Sequence, residues 1–118
     1  MNESLKEQSP GKNVVPFVLS LPNDKIKHFP ILNSTQSLSM KSALITLQPG
    51  ENVGSHNTGK HEELLVILDG IGEVQAEGLG RQKVVKESVV YITAGNEHNV
   101  TNVGSAPLRY IYIVSQID

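Results

Sequence analysis

Two of the four histidines in this 118-residue chain, His56 and His61, lie in the stretch from Gly50 to Gly70, GENVGSHNTGKHEELLVILDG, and Glu62 and Glu63 come directly after His61. The apolar run 64–68 that follows has the length of a buried strand. Side chains alternate faces along a strand, so with His61 already extended, His61, Glu63, Leu65 and Ile67 share one face. A histidine and a carboxylate then point the same way, with His56 just upstream and Glu62 turned to the opposite, solvated face. Imidazole and carboxylate are ligands that divalent transition metals take. The chain has no cysteine, so a metal site must be built from nitrogen and oxygen, and disulfides and thiolate chemistry are excluded. His28, beside Phe29 and Pro30, has no acidic neighbour in sequence and reads as an ordinary surface or half-buried histidine.

The elements that must position these groups are short. Residues 1–12 are polar and end in Pro10-Gly11, which predicts a mobile arm. Residues 13–21 (NVVPFVLSL) are β-branched and aliphatic, and Pro16 demotes them to an edge or bulged strand. Further strands are predicted within 25–32, 38–47, 72–77, 98–103 and 108–117. Residues 81–86 and 88–92 form two strands, or one bent around Glu87. Asp69-Gly70 predicts a hairpin, with 72–77 pairing back on the strand before it. No window holds a 3.6-residue apolar repeat. Many short strands with turn signals every eight to twelve residues mean an all-β sandwich or barrel, with 13–118 as one domain.

Composition narrows the function classes. A net charge of -2 gives no electrostatic case for nucleic acid or anionic membrane, and the chain has no tryptophan for stacking bases or sugars. The N-terminus lacks the apolar stretch of a signal peptide and no span reaches transmembrane length, so a cytoplasmic protein is expected. No nucleophile-elbow serine or phosphate-cradling glycine loop is present.

Read as G-x5-H-x-T-x4-E-x6-G, residues 50–70 resemble the first motif of the cupins, G-x5-H-x-H-x3-4-E-x6-G. Gly50, His56, Glu63 and Gly70 are in register, and Thr58 stands where the second histidine belongs. The stretch TAGNEHNVTN (93–102) resembles the second motif, P-x-G-x2-H-x3-N. Gly95, His98 and Asn102 match, Thr93 replaces the proline, and Glu87 stands where an opening glycine is usual. The two motifs cover about half the chain. The resemblance implies a small single-domain protein with a double-stranded β-helix, a jelly-roll barrel of two antiparallel sheets. It implies that His56, Glu63 and His98 hold Fe, Mn, Ni or Zn on the inner face, with coordination positions left open. Asn102 would bond across strand ends.

His61 shares strand parity with Glu63. It is either a fourth ligand in the place left open by Thr58 or a polar rim residue at the barrel mouth. The expected function is metal-dependent chemistry on a small polar metabolite, with a non-catalytic, metal-free small-molecule-binding barrel as the alternative. A homodimer is expected, because 64, 66 and 68 form an apolar row opposite the inward one and the last strand is apolar on both faces.

Overall fold

The computed structural model describes residues 14–117, and the expected mobile arm over 1–12 lies outside the described residues. Nine strands account for all regular structure among them: β1 (His28–Leu32), β2 (Met40–Leu47), β3 (His56–Asn57), β4 (His61–Asp69), β5 (Ile71–Ala76), β6 (Gly80–Val85), β7 (Val89–Ile92), β8 (Glu97–Asn102) and β9 (Leu108–Gln116). They form a five-stranded sheet in the order β1-β2-β9-β4-β7 and a four-stranded sheet in the order β3-β8-β5-β6. Every pairing is antiparallel. The expected two-sheet jelly roll is what forms, and no described helix is long and apolar enough to cross a membrane.

Period-2 alternation builds the core. Ala43, Ile45 and Leu47 of β2, Leu65 and Ile67 of β4, and Leu108 and Tyr110 of β9 point between the sheets, where they meet Val74, Val84 and Val100 of the facing sheet. The inward row of β4 includes Glu63, so the strand that supplies the core also delivers a carboxylate into the barrel.

Two expectations are corrected. Asp69-Gly70 is not a hairpin. β4 belongs to the five-stranded sheet and β5 to the other, where β5 pairs with β6 and β8. The dipeptide is a corner at which the chain crosses between sheets. Gly70 sits at φ +92, and a Cβ built there would meet the Pro107 carbonyl oxygen at 2.5 Å. The second correction concerns 13–21: residues 14–21 form no strand. β-branched composition favours extension, but a strand also needs a partner, and Pro16 has no N–H to offer one. The segment is tied to the sheet farther on, where Arg109 Nη2 donates to the Pro22 carbonyl at 2.7 Å.

The stretch around Glu87 resolves as two strands in different sheets. Glu87 itself has φ 73. Its N–H donates to the Ile67 carbonyl at 2.9 Å, which pins the turn onto β4. A left-handed conformation costs a non-glycine residue about 1–2 kcal/mol, while glycine's extra unfolded-state freedom returns about 0.5–1 kcal/mol of that. Glu87→Gly is therefore expected to raise the thermal midpoint by a few degrees. A lower midpoint in a melting curve would show the strain to be offset by contacts of the glutamate.

Candidate functional site

His56 and His98 face each other across the β3–β8 pair, as directly opposed residues. Strand β3 has only two residues, and the preceding loop holds it in place. Gly50 N–H donates to the Asn102 carbonyl, Asn102 N–H to the Glu51 carbonyl, and Val53 N–H to the Val100 carbonyl. The two imidazoles come within 4.1 Å, centroid to centroid, at 57° between planes. Glu63 approaches from the opposite sheet. One donor atom from each of His56, Glu63 and His98 falls within 4.8 Å of the others.

Each histidine is braced in the same way. His56 Nδ1 lies 2.9 Å from the Gly54 carbonyl and His98 Nδ1 lies 3.0 Å from the Asn96 carbonyl, in both cases the residue two before. A carbonyl only accepts, so both Nδ1 atoms carry hydrogen and Nε2 is the position each ring has for coordination. This is the arrangement a metal-ligating histidine needs, with its outer nitrogen oriented by a backbone oxygen. The donor set fits a divalent transition metal.

His98 is 2% exposed and Glu63 7% exposed. His98 Nε2 and Glu63 Oε1 are 3.1 Å apart. Burial works against a charged His98. The hydrogen bond to Glu63, the Asn96 carbonyl and the negative charges of Glu63 and Glu97 outweigh it, and the pKa is raised above 6.5. With acceptors at both nitrogens, the metal-free ring favours the imidazolium form.

The sign of the resulting pH dependence follows. The folded chain holds this proton more tightly than the unfolded chain. The pair's contribution to stability is therefore complete below about pH 6.5 and is lost as pH rises through the raised value. A metal must displace the same proton, so metal uptake moves the other way and increases with pH. Denaturant unfolding in chelator at about pH 6 and about pH 9 checks the first statement. The wild type should lose more stability across that interval than Glu63→Gln does, and equal slopes would refute it.

Thr58, in place of the second motif histidine, is buried and fully occupied. Its hydroxyl donates to the Thr93 carbonyl at 2.7 Å and accepts from the Asn96 N–H at 2.9 Å. It clamps the loop that carries the brace of His98, and a neutral hydroxyl committed to these two bonds is a poor substitute for an imidazole ligand. His61 opens β4 on the same face as Glu63 and lines the same cavity, but it lies outside the three-residue cluster. Glu62 points outward as expected and is half-buried, accepting from the Tyr91 hydroxyl at 2.7 Å. That bond, with some burial and the charge of Glu62, raises the pKa of Tyr91. Asn102 is 1% exposed; its Nδ2 donates to the Leu47 and Ala106 carbonyls and its Oδ1 accepts from Gly104 N–H.

The cluster sits in a cavity of about 510 Å³, within the usual range for small-molecule sites. Its apolar lining comes from Ile45, Leu47, Val53 and Val100, and Tyr110 and Tyr112 line it as well. Lys27, His28 and Lys41 also line it, three residues that sequence reasoning does not assign to a site. Lys41 lies two and four residues before inward-facing Ala43 and Ile45, but β2 is buried on both faces, so parity alone does not single it out.

A sequence profile of the cupin domain matches residues 43–114, which span both halves of the cluster. The chain is 26% identical over 73 residues to the tetracenomycin polyketide synthase protein TcmJ of Streptomyces glaucescens, covering 62% of this chain and 48% of that protein. It thus spans about half the length of the curated relative it matches. Among solved structures, it is similar to BH2720 of Bacillus halodurans at 27% identity and a TM-score of 0.62, covering 68% of this chain and 64% of the other. An RmlC-like cupin protein with a double-stranded β-helix fold from Methanocaldococcus jannaschii is similar at a TM-score of 0.72 and 16% identity, covering 88% and 94%.

Proposed function

We propose, from the premise that this chain belongs to the cupin domain family, that it is a metal-dependent barrel acting on a small polar metabolite. In this reading His56, Glu63 and His98 hold one divalent transition metal, Fe, Mn, Ni or Zn. The observation that carries it is the pair of Nδ1 braces on two histidines whose ligand atoms lie within 4.8 Å of a Glu63 carboxylate oxygen. Bound there, the ion supplies a Lewis acid with open coordination positions toward the cavity. The chain's own residues do the rest. The backbone carbonyls of Gly54 and Asn96 fix the imidazole tautomers, the apolar inner wall excludes water, and two tyrosines line the same cavity.

The experiment is elemental analysis of protein purified without added metal, followed by titration of the stripped protein with each of the four ions. Binding of one equivalent supports the reading. No binding of any of them removes it and leaves a metal-free small-molecule-binding barrel. One observation favours that second reading: His98 and Glu63 satisfy each other as an ion pair without a metal.

A homodimer belongs to the same proposal. Leu64, Val89 and Tyr91 are exposed on the outer face of the five-stranded sheet, and residues 14–21 carry exposed apolar side chains, with Val18 at 97%. An open apolar face and an unpaired apolar segment on one chain suit reciprocal packing about a two-fold axis. Light scattering at micromolar concentration should give twice the 12.8 kDa chain mass, and Val89→Lys should halve it. A monomeric wild type would sink the dimer.

A further inference from the structure

We propose that the cavity takes a small carboxylate-bearing molecule and that Lys41 anchors the carboxylate. This rests on the reading of the cavity as the ligand site and adds the ligand's chemical class to it.

The β2–β9 register sets Lys41 opposite Val114, Ala43 opposite Tyr112 and Ile45 opposite Tyr110. Opposed residues share a face of the sheet. Ala43, Ile45 and Tyr110 are core residues and Tyr112 packs against them. Lys41 and Val114 therefore continue the inward row toward the barrel mouth, and both line the cavity. A lysine at the end of an inward-facing row lays its aliphatic stem along the apolar wall and carries its ammonium at the opening.

That ammonium is uncommitted. Lys27, the other lining lysine, lies 3.7 Å from Glu51, whereas no carboxylate lies within ion-pair distance of Lys41 among the described residues. Among the described residues, Glu63 is the one acidic residue lining the cavity, and its partner is His98. The remaining polar lining is rich in donors. Burial, then the charge of Glu63 and the neighbouring Tyr112, pushes the Tyr110 pKa up strongly; burial and Glu63 raise that of Tyr112. Both phenols are protonated at neutral pH, and neither hydroxyl has a hydrogen-bond partner among the described residues. A cavity with a free ammonium, two free hydroxyl donors and its one carboxylate already paired is complementary to an anion with several acceptor oxygens. The apolar inner wall favours a short organic anion over a hydrated inorganic one.

The test uses malonate and its uncharged diamide, malonamide, at constant ionic strength. Binding is followed by amide chemical shifts of the full chain in chelator and again with zinc. Malonate should shift Lys41, Tyr112 and Val114 saturably in chelator, and malonamide should bind at least about tenfold more weakly. Lys41→Gln should weaken malonate by about tenfold or more, consistent with loss of a charge-assisted hydrogen bond. Lys41→Arg should restore most of it, and Lys83→Gln, at an exposed lysine of β6 outside the cavity, should leave it within about twofold of wild type. Equal binding of the two probes in the cavity would overturn the carboxylate preference while leaving the ligand site intact. Malonate binding only with zinc, and insensitive to Lys41→Gln, would overturn the anchor and assign the anion to the metal. No shift at any cavity residue with either probe would overturn the ligand-site reading as well.

Discussion

Glu63→Gln is expected to lower affinity for the divalent ion by more than about 100-fold, because losing an outer-shell partner of a ligand already costs 10–100-fold. Glutamine keeps the shape of the side chain and removes the charge. It still hydrogen-bonds to a histidine ring, so the fold should survive the change. His98→Ala should lose as much metal, but it also leaves Glu63 buried without its partner, a loss of about 3–5 kcal/mol in the metal-free protein. Glu63→Gln is therefore the cleaner variant, and zinc or manganese titration with circular dichroism on the same sample separates lost ligation from lost fold. His61→Ala distinguishes two forms of the site. If it holds metal within a few-fold of wild type, the three-ligand cluster is sufficient. If it falls as far as Glu63→Gln, His61 swings in as a fourth ligand. His28→Ala should change nothing, and metal affinity unaffected by Glu63→Gln would end the assignment of these residues as ligands.

Gly70→Ala is expected to be the most damaging single-methyl change in the chain. A Cβ at this corner would lie 2.5 Å from the Pro107 oxygen and 2.8 Å from Leu108 Cα, both backbone atoms, at a φ of +92. The left-handed penalty is about 1–2 kcal/mol, and forcing atoms into a packed site adds about 1–3 kcal/mol. The sum, about 2–5 kcal/mol, is a large share of the 5–15 kcal/mol typical of a domain. The thermal midpoint should fall by about 10 °C or more. Gly78→Ala is the control. Its φ is +84, with nothing within 4 Å of an added Cβ, so it should show the backbone penalty alone. Similar losses at both positions would mean that the corner can relax and that Pro107 does not confine it.

That Glu63 shares a face with Leu65 and Ile67 is legible in the amino-acid sequence through strand periodicity, but which face is inward is not, because 64, 66 and 68 are apolar as well; the motif resemblance at Glu63 supplies that direction. The meeting of His56 with His98 does not follow from periodicity. It depends on a two-residue strand held by the 50–53 loop against β8, and a pairing that short leaves no pattern. The Asp69-Gly70 corner reads as a hairpin because the local chemistry of a reversal is the same whether the chain returns to its own sheet or crosses to the other. Lys41 escapes a reading by pattern because β2 is buried on both faces. Ser42, Leu44 and Thr46 are as buried as Ala43, Ile45 and Leu47, so the inward row is identified by register with β9 and not by alternation. Thr58 is excluded as a ligand by its chemistry, but its two clamping bonds join residues 35 and 38 positions away, beyond what local sequence expresses.

The position of β9 has a consequence for biosynthesis. Residues 108–116 form the middle strand of the five-stranded sheet, paired along nearly their whole length with β2 on one side and β4 on the other. Until these residues have emerged, β2 and β4 have no common neighbour. The carboxylate on β4 cannot be brought to its two imidazoles in a finished barrel. Assembly of this sheet therefore waits for its ninth strand and is governed by long-range pairing, which makes it correspondingly slow. During that wait, the apolar strands made first are exposed and open to chaperones.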